Sequence, residues 1–139
     1  MPIPHWVIDA NVLVSAAITP QGVCDQVLQS AIAGMCVPAW NNKILLEYRE
    51  VLSRPKFRLT KAAVRALLAA LPSSGFHPAT SCKEMELPDP DDWPFVAVAL
   101  ATTDKTIVTG NPSHYPEAAM KTIGVEILSP RQALDSLGH

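Results

Sequence analysis

The apolar and polar positions of this chain change period repeatedly, and each change marks an element. The run "HWVID", His5 to Asp9, is short and apolar and predicts a buried strand that Asp9 closes. The apolar pattern resumes after Asn11, in a stretch to which no element is assigned. "GVCDQVLQSAIA", from Gly22 to Ala33, predicts a helix with Gly34 as its C-terminal cap. "MCVPA" predicts a second short strand. Asn41 and Asn42 offer caps for a helix that runs to about Ser53, before Pro55 stops it. Thr60 offers a cap for another that ends near Leu71, before Pro72. "GFHPA" predicts either a third short strand or an extended link.

The loop "LPDPDDWP" leads into "FVAVALATT", an alanine-rich helix with Pro94 in its first turn, where a missing amide does no harm. "TIVT" predicts a strand, "GNP" a turn, the stretch after His114 a short helix, "VEILS" a last strand, and Pro130 opens a closing helix. Strands alternating with helices imply an α/β fold, with a mainly parallel sheet covered on both faces. Sites in such sheets form at the carboxyl ends of strands, where the strand order reverses.

Composition narrows this frame. A chain of 139 residues, 48% hydrophobic and 17% charged, is expected to form one domain over residues 1–139 with a real core. No apolar run reaches the roughly 18 residues that span a membrane, and the N-terminus lacks a signal-peptide pattern, so a cytoplasmic protein is expected. Cys24, Cys36 and Cys82 form no C-x-x-C pair and fit reduced, mostly buried thiols. A net charge of −2 makes global steering of nucleic acid weak, so any such contact needs a local patch, a metal ion or a second subunit.

The candidate chemistry is acidic. Asp9 lies at the carboxyl end of the first strand, and alone it reads equally well as a helix cap. On the helix after "MCVPA", at about 100° per residue, Ile44, Leu45, Tyr48, Val51 and Leu52 form one apolar stripe. Glu47 falls at the edge of that stripe, and Glu50 falls further toward solvent. A carboxylate at such a rim needs a partner: an ion, or Arg49 or Arg54. Asp89, Asp91 and Asp92 precede the alanine-rich helix, and Asp92 is best placed to cap it. Three carboxylates within four residues repel one another, one cap needs only one of them, and a cation relieves the rest. Asn111 follows "TIVTG" at another strand end. Oxygen ligands of this kind suit Mg²⁺ or Mn²⁺ rather than zinc. Such an ion is a Lewis acid that activates water and stabilises a phosphoryl transition state. No G-x-S-x-G, H-E-x-x-H or phosphate-loop pattern competes. Asn11, in place of a second acid two residues after Asp9, argues against a phosphoaspartate phosphatase and a phosphoacceptor receiver domain.

"VIDANVLVSA", "LLEYREVLSRPKF", "DPDDWPFVAVALA" and "IVTGNPSHYP" occur in that order over nearly the whole chain. Together they resemble the PIN-domain family, and more narrowly the toxins of toxin–antitoxin systems related to VapC-like ribonucleases. The resemblance implies a three-layer α/β/α sandwich and a Mg²⁺- or Mn²⁺-dependent endoribonuclease with one or two ions. It matches the family's first three acidic positions to Asp9, Glu47 and Asp92, with Asp89 as an accessory ligand. Its fourth position is often aspartate and is here Asn111, which removes one negative charge. Asn11, Ser15 and Thr109 are the polar partners it implies, orienting Asp9 or a water. Arg54 and Lys56, within the basic group Arg49, Arg54, Lys56, Arg58 and Lys61, and His114 with Tyr115, are candidate RNA contacts beside a solvated-surface reading. The implied partners are an RNA substrate, a cognate antitoxin protein and a second copy in a homodimer, without a membrane. A PIN fold that binds RNA or protein without cutting is the alternative. Carboxylate repulsion further predicts that Asp9→Asn stabilises the metal-free fold.

Overall fold

A computed structural model describes residues 2–78 and 86–138. Strands β1 (His5–Ile8), β2 (Val37–Pro38), β3 (Thr106–Val108) and β4 (Glu126–Leu128) form a parallel sheet in the order β2-β1-β3-β4. Seven α-helices surround it among the described residues: α1 (Ala10–Ile18), α2 (Val23–Ile32), α3 (Asn42–Leu52), α4 (Lys61–Ala69), α5 (Trp93–Ala101), α6 (Glu117–Ile123) and α7 (Pro130–Ser136). From β1 the chain moves to one side to make β2, then returns past β1 to make β3 and β4 on the other. Right-handed crossovers therefore put α1 and α2 on one face and the β2–β3 connection on the opposite face. On that second face α5 packs against β1 and β3, and on the first face α7 packs against α2 and β4. This is the expected α/β/α arrangement. The reversal of strand order falls between β1 and β3, so their carboxyl ends open a crevice there.

Most elements follow the sequence pattern because their caps are local. Asn41 Oδ1 accepts the Ile44 amide hydrogen at 2.9 Å and starts α3, and Thr60 Oγ1 accepts that of Ala63 at 3.0 Å and starts α4. Ser129 and Gln132 form a reciprocal capping box on α7, behind which Pro130 opens the helix. Gly124 ends α6 at φ +79°, a backbone state costly for any residue with a Cβ.

One expectation changes and two open points are decided. The stretch after Asp9, unassigned by pattern, is the helix α1. Its Val12, Leu13, Val14 and Ala16 are all buried, and an apolar surface that leaves only the narrow side of Asn11 and Ser15 polar carries a weak periodic signal. Second, Asp92 makes no capping hydrogen bond to α5; Asp89 instead accepts the Asp91 amide hydrogen at 2.9 Å and opens a 3₁₀ turn over Pro90–Asp92. Third, "GFHPA" is a link with a single parallel bridge, Trp40 to Phe76, rather than a full strand. The Trp40 amide donates to Gly75 O at 2.9 Å and the His77 amide to Trp40 O at 2.8 Å. Gly75 approaches so closely that a Cβ there would lie 1.9 Å from Pro38 O. Cys36 is buried and Cys24 partly so, both as free thiols; Cys82 and the Ala79 end of the link lie outside the described residues.

Candidate metal centre

Asp9 is the residue at which β1 becomes α1. Its amide donates to Val108 O at 2.9 Å and continues the β1–β3 ladder, while its side chain caps α1, with Oδ1 accepting the Ala10 amide hydrogen at 2.7 Å. Its other oxygen, Oδ2, is held by three donors: Thr109 Oγ1 at 2.9 Å, Tyr115 Oη at 3.0 Å and Asn11 Nδ2 at 3.3 Å. Asn11 also donates to Thr109 Oγ1 at 3.2 Å and accepts from the Gly110 amide at 3.0 Å, and Thr109 Oγ1 accepts from the Asn111 amide at 3.0 Å. This network stitches the ends of β1 and β3 together and fixes the Asp9 carboxylate. Burial still holds that carboxyl above its ordinary range, against the pull of Thr109, Tyr115, Ala10 and His114.

The crevice over these strand ends is a cleft of about 480 Å³. Asp9, Asn11, Ser15, Glu47, Arg54, Lys56, Asp89, Asp92, Asn111 and His114 all line it. Residues read from four separate motifs thus share one cavity, with the fully buried Thr109 behind its wall. Ser15 sits at the rim, and its hydroxyl bonds to the Cys24 thiol rather than to Asp9.

Asp92 is the least comfortable member. Its Oδ2 lies 3.0 Å from His114 Nδ1, yet it is buried without a well-directed hydrogen bond. Burial pushes its carboxyl up to about 7, with Asp9 and Asp89 adding to the rise and His114 opposing it. Asp89, Asp92 and His114 present ligand atoms within 4.8 Å of one another. Glu47 is half-buried on the facing helix and likewise raised, first by burial and then by Asp91, Glu50 and Asp89. Arg54, a candidate counter-ion for Glu47, is bound to Glu50 instead at 2.9 Å. A buried carboxylate oxygen left without a proper donor, among acids that raise one another, is the chemistry that a hard divalent cation neutralises. Of the residues expected to hold an ion, Asp89 and Asp92 fall in that close group together with His114, while Asp9, Glu47 and Asn111 line the same cleft outside it.

Two residues enter the site without a signal in the sequence pattern. Tyr115 is fully buried with its hydroxyl on Asp9, so it supports the site from within and offers no surface to RNA. Tyr48 is also buried, donates its hydroxyl hydrogen to Ile8 O and packs against Phe95 at 5.9 Å between ring centres. Burial, with Asp9 nearby, raises both phenols far above their ordinary range and keeps them as donors. Tyr48 follows from the apolar stripe of α3, whereas Tyr115, expected as an RNA contact or a surface residue, is buried; only each hydroxyl's long-range partner reveals its second role.

The family model described as PIN domain matches residues 5–113. No curated protein and no solved structure matches the chain.

Proposed function

Because the chain belongs to the PIN-domain family, a nuclease-type fold whose members are generally metal-dependent nucleases, we propose that residues 1–139 form one PIN-like domain acting as a Mg²⁺- or Mn²⁺-dependent endoribonuclease, the toxin of a toxin–antitoxin pair. The observation that carries this reading is Asp92: a buried carboxylate, raised to about 7, with an oxygen lacking a directed donor inside an acid-lined cleft. Asp9, Glu47 and Asp92 would hold one or two such ions, with Asp89 and Asn111 assisting. When bound, such an ion activates water and offsets the charge that develops on the scissile phosphate. The chain's own residues do the rest. Thr109, Tyr115 and Asn11 fix Asp9 so that it need not reorganise during the reaction. His114 Nδ1 lies 3.0 Å from Asp92 Oδ2 at the cleft wall, a polar neighbour for that carboxylate. Arg54 and Lys56 on the opposite lip supply positive charge for neighbouring phosphates.

The test is cleavage of single-stranded and structured RNA with Mg²⁺, Mn²⁺ or EDTA, alongside melting with and without metal. Expected are metal-dependent products, a higher Tm with Mn²⁺, and loss of cleavage in Asp9→Asn. Absence of all three would remove the nuclease reading. Growth arrest on expression, relieved in Asp9→Asn, tests the toxin role, and sedimentation tests the homodimer. Asn111 favours a second reading, an RNA- or protein-binding module without cleavage, since it withdraws one acid from the cleft. RNA binding with unchanged RNA in every metal condition would select it. No helix among the described residues is long and apolar enough to cross a membrane; a cytoplasmic location belongs to this proposal.

A further inference from the structure

A second groove of about 500 Å³ adjoins the acidic cleft and shares Glu47 and Asp91 with it. Its apolar lining is Trp93, Leu46, Leu87, Pro90 and Pro94, and its remaining polar side chains are Lys43 and Glu86. Leu46 is 60% exposed on α3, and Trp93 is half-buried at the start of α5. An exposed leucine and a half-buried tryptophan line one groove that is continuous with the candidate centre through Glu47 and Asp91. At a net charge of −2, phosphate contacts alone cannot supply much affinity for RNA. Base stacking is the other source, and it is indifferent to the protein's charge.

We propose that this groove is a nucleobase subsite flanking the scissile phosphate, with Trp93 and Leu46 as the stacking face and Lys43 beside the adjoining phosphate. It deepens the nuclease reading and rests on it for the position of the scissile bond. The base it takes is guanine. The carboxylates that line it, Glu86 and Asp91, offer hydrogen-bond acceptors. Guanine presents two adjacent donors, N1–H and the N2 amine, on its Watson–Crick edge. Adenine and cytosine pair their amine with a ring acceptor, and uracil flanks its one N–H with carbonyls.

The experiment titrates GMP, AMP, CMP and UMP into the full chain in EDTA, reading tryptophan fluorescence. A second arm measures single-stranded RNA cleavage kinetics with Mn²⁺. Expected are quenching by GMP at the lowest concentration, loss of that quenching in Trp93→Phe, and loss of the guanine preference in Glu86→Gln with Asp91→Asn. Trp93→Ala raises KM about 5- to 150-fold with kcat little changed. Leu46→Glu, at an exposed position that the fold does not need, gives the same KM rise should Trp93→Ala fail to fold. Equal quenching by all four nucleotides overturns the guanine assignment. No quenching, together with an unchanged KM in Leu46→Glu, overturns the subsite while cleavage itself stands. Absence of cleavage in the unaltered chain overturns the nuclease reading and leaves the nucleotide titration to decide the groove.

Discussion

Tyr115 donates its hydroxyl hydrogen to Asp9 Oδ2 at 3.0 Å, joining two residues 106 positions apart inside the core. With Thr109 and Asn11 it saturates one oxygen of Asp9, while Oδ1 accepts from the Ala10 amide alone among the described residues. Tyr115→Phe keeps the ring and removes one hydrogen bond to a charged group. The metal-free protein is expected to lose about 1.5–3 kcal/mol in urea unfolding. Mn²⁺ affinity, followed by calorimetry, is expected to fall about 10- to 100-fold, as when a partner of a metal ligand is removed. Equal affinity in the two proteins would show that the bond does not position Asp9.

The same geometry transfers an expectation from Asp9 to Asp92. Asp9→Asn turns an amide NH₂ toward donors that now serve a carboxylate, so it is expected to destabilise the metal-free protein by about 1–3 kcal/mol. Asp92→Asn relieves repulsion at a poorly satisfied oxygen and is expected to raise the metal-free Tm at pH 7.5. Melting curves of both variants in EDTA, with opposite signs, check the assignment.

That relief depends on pH. The folded pKa of Asp92, about 7, lies above its ordinary 3.8. An acid raised on folding contributes stability that is complete below the unfolded value and lost as pH rises through the folded one. Metal-free stability is therefore expected to fall between about pH 4 and pH 7, with Asp9 and Glu47 shifted in the same direction. In Asp92→Asn the slope flattens across that window. Urea midpoints from pH 4 to pH 8 in EDTA measure it, and parallel profiles would show that Asp92 is not raised.

Gly75→Ala places a Cβ 1.9 Å from Pro38 O, a backbone atom that cannot swing aside. The link over Trp40 and Phe76 must then shift, and their ring contact at 4.8 Å goes with it. A loss of about 3 kcal/mol is expected, read as a lower Tm with metal affinity unchanged.

Arg54→Ala removes an exposed pair with Glu50 and is expected to leave stability within about 0.5 kcal/mol. Its effect belongs to RNA. Binding to single-stranded RNA in EDTA is expected to weaken, and the slope of log affinity against log salt to fall by about 0.7 per lost phosphate contact. Lys56→Ala, on the same lip, is expected to do likewise. An unchanged slope in both variants would remove that lip from the RNA path.

Much was legible from local pattern. The end of β1 at Asp9, the rim position of Glu47 on α3, the acids ahead of α5 and the turn after β3 follow from short-range periodicity and capping, which a chain expresses before it meets the rest of itself. Helix α1 escaped because burial around most of its circumference weakens its period. Asp92 stands at the N-cap position that its place in the sequence suits, yet makes no capping bond; Asp89 caps the 3₁₀ turn, and Asp92 is left facing Asp9 and His114.

By itself, then, the sequence determined the alternation of strands and helices, and which acids stand at strand ends or helix rims. Tertiary structure alone decided what those acids face. Strand order set β3 beside β1, and with it Thr109 and Tyr115 against Asp9 across about a hundred residues of chain. A hydrogen-bond partner chosen by sheet topology leaves no trace in local spacing. Burial, which raises Asp92, belongs to the packed molecule and to no residue singly.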